Sequence, residues 1–597
     1  MFTGPILARE AVTAPRRVRH YVARATYVTV LLVLMSTAWL VLTGSQEIGT
    51  LGDLSRFATF LFQLLSPMQL VLALYVSALC AASSVSREKD RGTLVLLLTT
   101  DLRNHELVFG KLAASMLTVI VLLVAALPLF MLMILLGGIQ LRQVLGMFFV
   151  TLTSALAAGT LGATIALWRE KTFQTLAITV LILTTWLGGW EVVAYSIGDV
   201  HVAGDSLSAW ATVFSPWQAL LVATRPMIEN SHGWLGPAES LGGYLVFSLG
   251  VIVALSALAT WRIRRWNPSR ALRTGAGPDD AESILDEEPR RADAIRVEDS
   301  RQGAEGTPHR AGSREVWHNP VAWREIRTRA YGRRILFVRL AYIVLFGLAS
   351  ATALSVEQLS LAEGTWTLLP ILFVLSLVLI NAQAVTALAS ERDGRTIDLL
   401  LATELSPKEI VFGKLGGTLY NTIEMVALPL LLCLALWQTG SISGQNAFYI
   451  AAGLLVMDFF VAVLGIHCGL IHHHTRIALA TSLGTVFFLF LGVGICMRIM
   501  VAFAGSFESQ LAPFLAFILG GGIGLYLSLG ARNASRAIFW ASFLCPFLTF
   551  WAITSFIQRQ TLGVFLVTTA AYGFATLAML IPAISEFDVA SGRSEKD

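Results

Sequence analysis

EKDRGTLVLLLTTDLRNHELVFGK, residues 88–111, recurs in the second half of the chain as ERDGRTIDLLLATELSPKEIVFGK, residues 391–414. The two stretches align without a gap, and more than half of their positions are identical. Each lies between apolar runs long enough to cross a bilayer, which takes about 20 helical residues. A polar loop duplicated inside a duplicated membrane unit specifies one machine made of two equivalent halves.

The surrounding composition agrees. Mean hydropathy is +0.69, with 55% hydrophobic and 14% charged residues, the profile of an all-α polytopic membrane protein. Arg16, Arg17, Arg19 and Arg24 precede an apolar run to about Leu42. That run is too long for a signal core and has no small-residue cleavage site, so it is expected to stay as the first membrane helix. The net charge of +4 follows topology and implies no nucleic-acid partner. Cys80, Cys433, Cys468, Cys496 and Cys545 all lie in apolar stretches and read as buried small hydrophobes.

Working outward from the loops, residues 1–266 form a first half with spans near 24–43, 58–82, 112–136, 143–167, 175–197 and 241–261. Arg87, Lys89, Arg91, Arg103, Arg169, Lys171, Arg262, Arg264 and Arg265 fall in alternate connections, whereas the opposite ones hold Arg56, Arg142 and Arg225. The positive-inside rule therefore puts both ends of this half in the cytoplasm. Residues 267–318 are rich in Arg, Asp, Glu, Gly and Pro and read as a disordered, charged cytoplasmic linker. Residues 319–597 repeat the plan, with spans near 335–354, 367–389, 415–436, 447–470 and 477–497. Three apolar segments follow, near 511–531, 537–557 and 561–583, where the first half has one clear span. Two bundles of about six helices result, as 6+6 with a re-entrant hairpin or as 6+8 with an extra C-terminal pair. Both return the tail Arg593-Ser-Glu-Lys-Asp to the cytoplasm. The stretch 199–240, containing FSPWQALL from Phe214, reads as a Pro-broken, partly inserted hairpin.

The runs Thr93–Leu98 and Thr396–Leu401 are apolar, too short to span, and bracketed by charge. Each is expected to form a short helix at the cytoplasmic surface. In the second copy Ser406-Pro407-Lys408-Glu409 is a capping box with Pro at the first helical position, which starts a new helix. An interfacial anchor would explain one such element. Two, with matching acidic residues, favour docking to a two-fold partner. A second repeated element opens each half: Gly4-Pro5-Ile-Leu-Ala-Arg9-Glu10 and Asn319-Pro320-Val-Ala-Trp-Arg324-Glu325, each followed by a basic cluster. These read as amphipathic helices on the lipid surface of the cytoplasmic leaflet.

The pattern Glu-x-Asp/Glu-x-Gly-Thr-Leu/Ile-x-Leu-Leu-Leu-x-Thr, followed by Glu-x-x-x-Gly-Lys, resembles that of type-2 ABC exporter permeases. The resemblance covers both halves up to about residue 500. It implies that Glu88, Asp90, Thr93, Leu97, Leu98 and Glu106 are ATPase-coupling positions. Glu391, Asp393, Thr396, Leu400, Leu401 and Glu409 would be their counterparts. The interfacial positions would be Pro5, Arg9, Glu10, Pro320, Arg324 and Glu325. The resemblance further implies a bacterial inner-membrane protein that binds two copies of a soluble P-loop ATPase, which would hold ATP and Mg, and that exports an unassigned substrate. One departure is that Gly394-Arg395-Thr396 reverses the Arg91-Gly92-Thr93 order.

No Gly-x-x-x-x-Gly-Lys-Ser/Thr segment occurs in the chain, so no enzyme activity or cofactor is expected in it. Lys111 and Lys414, each following a glycine at a helix start, are expected to snorkel to lipid headgroups. Glu424 and Asp458 fall near mid-membrane, while the aligned residues Val121 and Ala155 are apolar. They mark either an asymmetric translocation path or hydrogen-bonded structural pairs. Glu191 is a weaker candidate nearer the outer face. His467, Cys468 and His472-His473-His474 form the one metal-like cluster. A basic turn rewritten in histidine explains it better than a metal site. Two rival functions remain at this point: an ion-gradient-driven transporter using Glu424 and Asp458, and a membrane scaffold recruiting a cytoplasmic partner.

Overall fold

The computed structural model describes residues 18–45, 51–90, 93–100, 102–169, 172–197, 201–202, 205–225, 241–267, 317–327, 335–358, 362–393, 397–495, 507–532, 535–557 and 561–587. Pro5, Arg9, Glu10, Thr396, most of the linker and the charged tail lie outside these residues, as does the Asp90 side chain.

The first half contains α1 (Val18–Ser45), α2 (Leu51–Asp90), the short α3 (Thr93–Thr99), α4 (Asn104–Leu135), α5 (Leu141–Trp168) and α6 (Thr172–Ile197). Two short helices, α7 (Leu207–Phe214) and α8 (Pro216–Thr224), precede α9 (Leu241–Trp266). At 40 residues, α2 is about 60 Å long, twice the hydrocarbon core of about 30 Å. It therefore carries Glu88 well beyond an apolar layer. The break between α7 and α8 is the one FSPWQALL encodes: the Ser215 hydroxyl accepts from the Gln218 N–H, and Pro216 opens the new helix. A two-residue ladder, His201–Val202 with Asp205–Ser206, is the sole departure from all-α structure among the described residues.

The second half opens with α10 (Pro320–Arg327), then α11 (Ile335–Gln358), α12 (Ala362–Asp393) and the short α13 (Ile397–Leu401). The counterpart of α4 is broken: α14 (Pro407–Asn421) and α15 (Ile423–Gln438) meet at 56°. Next come α16 (Gly444–Ile471), with both ends at positions aligned to those of α5, and α17 (Thr475–Phe487), which runs into a π-helical turn at Phe488–Gly492. Three helices complete the chain: α18 (Phe507–Leu529), α19 (Arg536–Ile557) and α20 (Thr561–Ser585). Among the described residues eleven helices are long and apolar enough to cross a membrane, and the bent α14–α15 pair would make twelve.

The register slip after residue 500 has a simple form. Helix α20 packs on α16 as α9 packs on α5, so α20 closes the second half. The pair α18–α19 is inserted ahead of it, where the first half has the short α7 and α8. Among the described residues six of the long apolar helices lie in the first half and five, or six with the bent pair, in the second, while α11 and α18 hold shorter apolar stretches; α18 reaches across to pack on α1.

Within each half the tightest helix pair is fixed by one aligned glycine. A Cβ at Gly162 of α5 would lie 2.5 Å from the Ala78 carbonyl oxygen of α2. A Cβ at Gly465 of α16 would lie 2.9 Å from the Asn381 carbonyl oxygen and 2.6 Å from the Ala384 Cβ of α12. The halves meet where α6 packs on α11 and α12, and the Tyr75 and Phe487 rings face each other at 6.4 Å. A single buried cluster runs through both halves, from Leu94 and Val180 to Tyr342 and Leu464.

Candidate functional site

Both loop helices lie at one end of the bundle, each held by the same set of contacts. Lys89, next to the first motif glutamate, donates to the Leu167 carbonyl at 2.5 Å and the Arg169 carbonyl at 2.9 Å. Its aligned partner Arg392 donates to the Gly469 carbonyl at 3.4 Å and the His472 carbonyl at 3.0 Å. Each cation thereby satisfies carbonyls left open at the end of α5 or α16. Glu106 accepts from the Arg103 N–H at 3.1 Å, and Glu409 from the Ser406 N–H at 2.8 Å. These glutamates restart the chain as α4 and α14, the second through a full capping box in which the Ser406 hydroxyl accepts from the Glu409 N–H.

The short helices are two-faced. Leu94, Leu98 and Ile397 are buried in the core, Leu97 and Leu401 are half-buried against it, and Leu400 is half-buried. The aligned Leu96 and Leu399 point away and are 66% and 70% exposed. Thr93 turns its hydroxyl back to the Glu88 carbonyl at 3.3 Å.

The motif glutamates point inward. Glu88 pairs with Lys111. Glu391 pairs with Arg324 and with Lys414, the latter at 2.6 Å, and Lys414 also reaches Glu325 at 2.6 Å. Arg324 lies 3.2 Å from Glu325, which closes a neutral ring of two cations and two anions. Lys414 is 1% exposed within it. The expected snorkelling of Lys111 and Lys414 is therefore incorrect: both ammonium groups are enclosed by protein and bound to carboxylates. Burial works to lower the Arg324 pKa, but the Glu391 and Glu325 charges outweigh it and leave the pKa raised. Asp393 accepts from the Thr475 N–H at 3.3 Å and from its hydroxyl at 2.7 Å, capping α17.

Helix α10 joins this ring to the membrane helix. Asn319 accepts from the Ala322 N–H at 2.9 Å and donates to the Glu409 carbonyl at 2.8 Å. Small residues on α14 allow the approach: a Cβ at Gly413 would lie 2.8 Å from Val321, and one at Gly417 would lie 2.5 Å from Glu325. Pro320 begins the helix. Opening helix, loop and third-span helix form one interlocked elbow.

Glu424 and Asp458 are not brought to a common partner. Glu424 pairs with Arg339 of α11 at 3.1 Å, and Arg339 also donates to the Asn421 carbonyl, freed by the break, at 3.0 Å. Asp458 is 5% exposed and lies near Tyr342, whose hydroxyl bonds Ser376 at 2.6 Å. Glu191 accepts from Gln218 at 2.8 Å, tying α6 to α8.

The histidines diverge. His467 bonds the Leu529 carbonyl at 3.0 Å, His473 lies 3.2 Å from Arg532, and His474 lies 3.9 Å from Asp393. Among the described residues no three His, Cys, Asp or Glu side chains converge as a metal site would require. Sequence reasoning missed Arg339, Asn319, Leu96 and Leu399. Arg339 carried a signal, since it interrupts the apolar run ILFVRLAYIVLF from Ile335.

A search among curated proteins finds no match. Residues 17–265 match a family model described as ABC-2 family transporter protein. The matched segment takes in all of α1 to α8 and nearly all of α9.

Proposed function

We propose that this chain, whose residues 17–265 match the ABC-2 family transporter model, is a membrane-spanning subunit of an ATP-driven exporter. Both permease halves are fused in it. It works in a bacterial inner membrane with both termini in the cytoplasm, and two copies of a separate P-loop ATPase supply ATP and Mg.

The observation that carries this reading is the pair of elbows. Each presents one exposed leucine, Leu96 or Leu399, on a short helix whose other face is locked into the core. An apolar knob on a rigid mount suits docking into a groove of a soluble partner. Closure of two ATPases would push both knobs. In the second half the ion ring would pass that motion to α10 and α14 together. Glu424 already has a counter-charge in Arg339, which weighs against a cation-coupled transporter at that residue.

The test is purification of the tagged protein from its native membrane in mild detergent, with mass spectrometry of what accompanies it. A P-loop ATPase at two copies per chain is the expected result. Clean purification without an ATPase, repeated in lipid nanodiscs, would overturn the proposal.

A further inference from the structure

The third membrane helix is built differently in the two halves. In the first half α4 runs unbroken through Thr118, Val119 and Val121. In the second half the aligned residues are Asn421, Thr422 and Glu424, and there α14 gives way to α15 with a 56° bend. Proline does not set this difference, because α4 holds Pro128 and α15 holds Pro429, well past the break. What differs is the hydrogen-bond ladder. The Met425 N–H donates to the Thr422 carbonyl at 2.9 Å, not to that of Asn421 one residue earlier. The Asn421 carbonyl so released accepts from the Arg339 guanidinium of α11 at 3.0 Å. A side chain that enters the ladder in this way is a physical source of sharp kinks.

Arg339 also lies 3.1 Å from Glu424. One guanidinium thus bridges the last turn of α14 and the first turn of α15, and each charge sits at the helix end that favours its sign. The two arms carry different loads. Helix α14 holds α10 through Lys414 and Gly417, while α15 packs on α11, α12 and α16. Asn421 Nδ2, Arg339 Nε and Glu424 Oε2 are buried with no hydrogen-bond partner among the described residues, so the bent form leaves bonding capacity unused.

We propose that Thr422 is a two-state hinge and that Arg339 latches its bent state. Release of Arg339 would let the Met425 N–H return to the Asn421 carbonyl and straighten the span into the unbroken form of α4. Val121 stands where Glu424 does, so the device belongs to the second half alone. In the exporter reading, on which only this consequence rests, a push on Leu399 would swing α14 about Thr422. A push on Leu96 would instead travel along α4 as one rod.

The experiment is double electron–electron resonance on the purified full-length chain in detergent, with its five native cysteines replaced by alanine. Nitroxides are attached through Lys408→Cys on α14 and Trp437→Cys on α15. At 1.5 Å per residue these sites lie about 43 Å apart along a straight helix and about 38 Å apart across the bend. The parent should centre on the shorter distance, and Arg339→Gln should move weight about 5 Å outward. If Arg339→Gln does not fold, the double variant Arg339→Gln with Glu424→Gln removes both charges together and should shift in the same direction. A control label pair on α4, His105→Cys with Ile134→Cys, should not respond to either variant. A parent already at the longer distance, or an unchanged distribution in a folded variant, would overturn the latch. No ATPase takes part, so the result stands or falls separately from the exporter reading.

Discussion

The Lys414 ammonium lies 2.6 Å from the Glu391 carboxylate, with the lysine 1% exposed. The aligned Lys111 and Glu88 are paired in the same way. Each pair spans the loop between successive membrane helices, so it fixes the angle at which the short helix projects. In the second half the pair also holds Arg324 and Glu325 of α10. Removing one member of such a buried set leaves an uncompensated charge, which costs about 3–5 kcal/mol. Lys414→Met should therefore lower stability by about that amount in detergent unfolding. Glu391→Gln, which leaves Glu325 to balance one cation, should cost less. A Lys414→Met protein that melts with the parent would refute the ring as a structural element.

Docking is expected to depend on the leucine knobs rather than on the glutamates. Leu96→Asp with Leu399→Asp changes exposed positions, so the melting temperature should hold while co-purification of an ATPase falls sharply. Glu88→Arg with Glu391→Arg should instead destabilise the chain itself. Unfolding curves and ATPase recovery measured on both double variants separate the two roles.

Gly162 and Gly465 fix the central helix pairs of the two halves. A methyl group at Gly162 would meet a backbone oxygen at 2.5 Å, and backbone cannot yield as a flexible side chain does. Overpacking of this kind costs about 1–3 kcal/mol. Gly162→Ala and Gly465→Ala should both show it. Gly159→Ala should cost less, because its obstacle is the end of the flexible Met116 side chain. Equal losses at all three positions would contradict the assignment.

The loops were legible in sequence because the duplication exposed them. A motif repeated without a gap fixes aligned helix ends, so the agreement between the ends of α5 and α16 was encoded in the spacing. Side-chain direction was not encoded in that way. Glu88 and Glu391 read as surface charges, because a carboxylate within four residues of an apolar run gives no sign that a lysine will fold back onto it from the next helix. Leu96 was passed over for Leu97 and Leu98, since a helix this short gives no periodicity to say which face is buried. The insertion of α18–α19 was ambiguous for a different reason: three apolar segments look alike until packing shows that α20 takes the place against α16 that α9 takes against α5.

The surroundings of His472, at the end of α16, predict a pH response. Burial, followed by the positive charges of His467, Arg532, Arg392 and His473, pushes the His472 imidazole down to about 4. An unfolded histidine titrates near 6.5. Between those values the unfolded chain binds a proton that the folded chain refuses, so stability must fall as pH falls. Above about 6.5 both states are neutral and the group exerts no pH dependence. The loss is thus confined to the window from about 6.5 down to about 4 and works against the folded state. His472→Gln has no proton to gain there. In phosphate-free buffer, melting temperatures of parent and variant should run parallel from pH 8 to 7 and then diverge. The variant should lose less on acidification to pH 5. Parallel curves across the whole range would mean that the imidazole is freely protonated in the folded protein and that the Arg392 and Arg532 charges do not reach it.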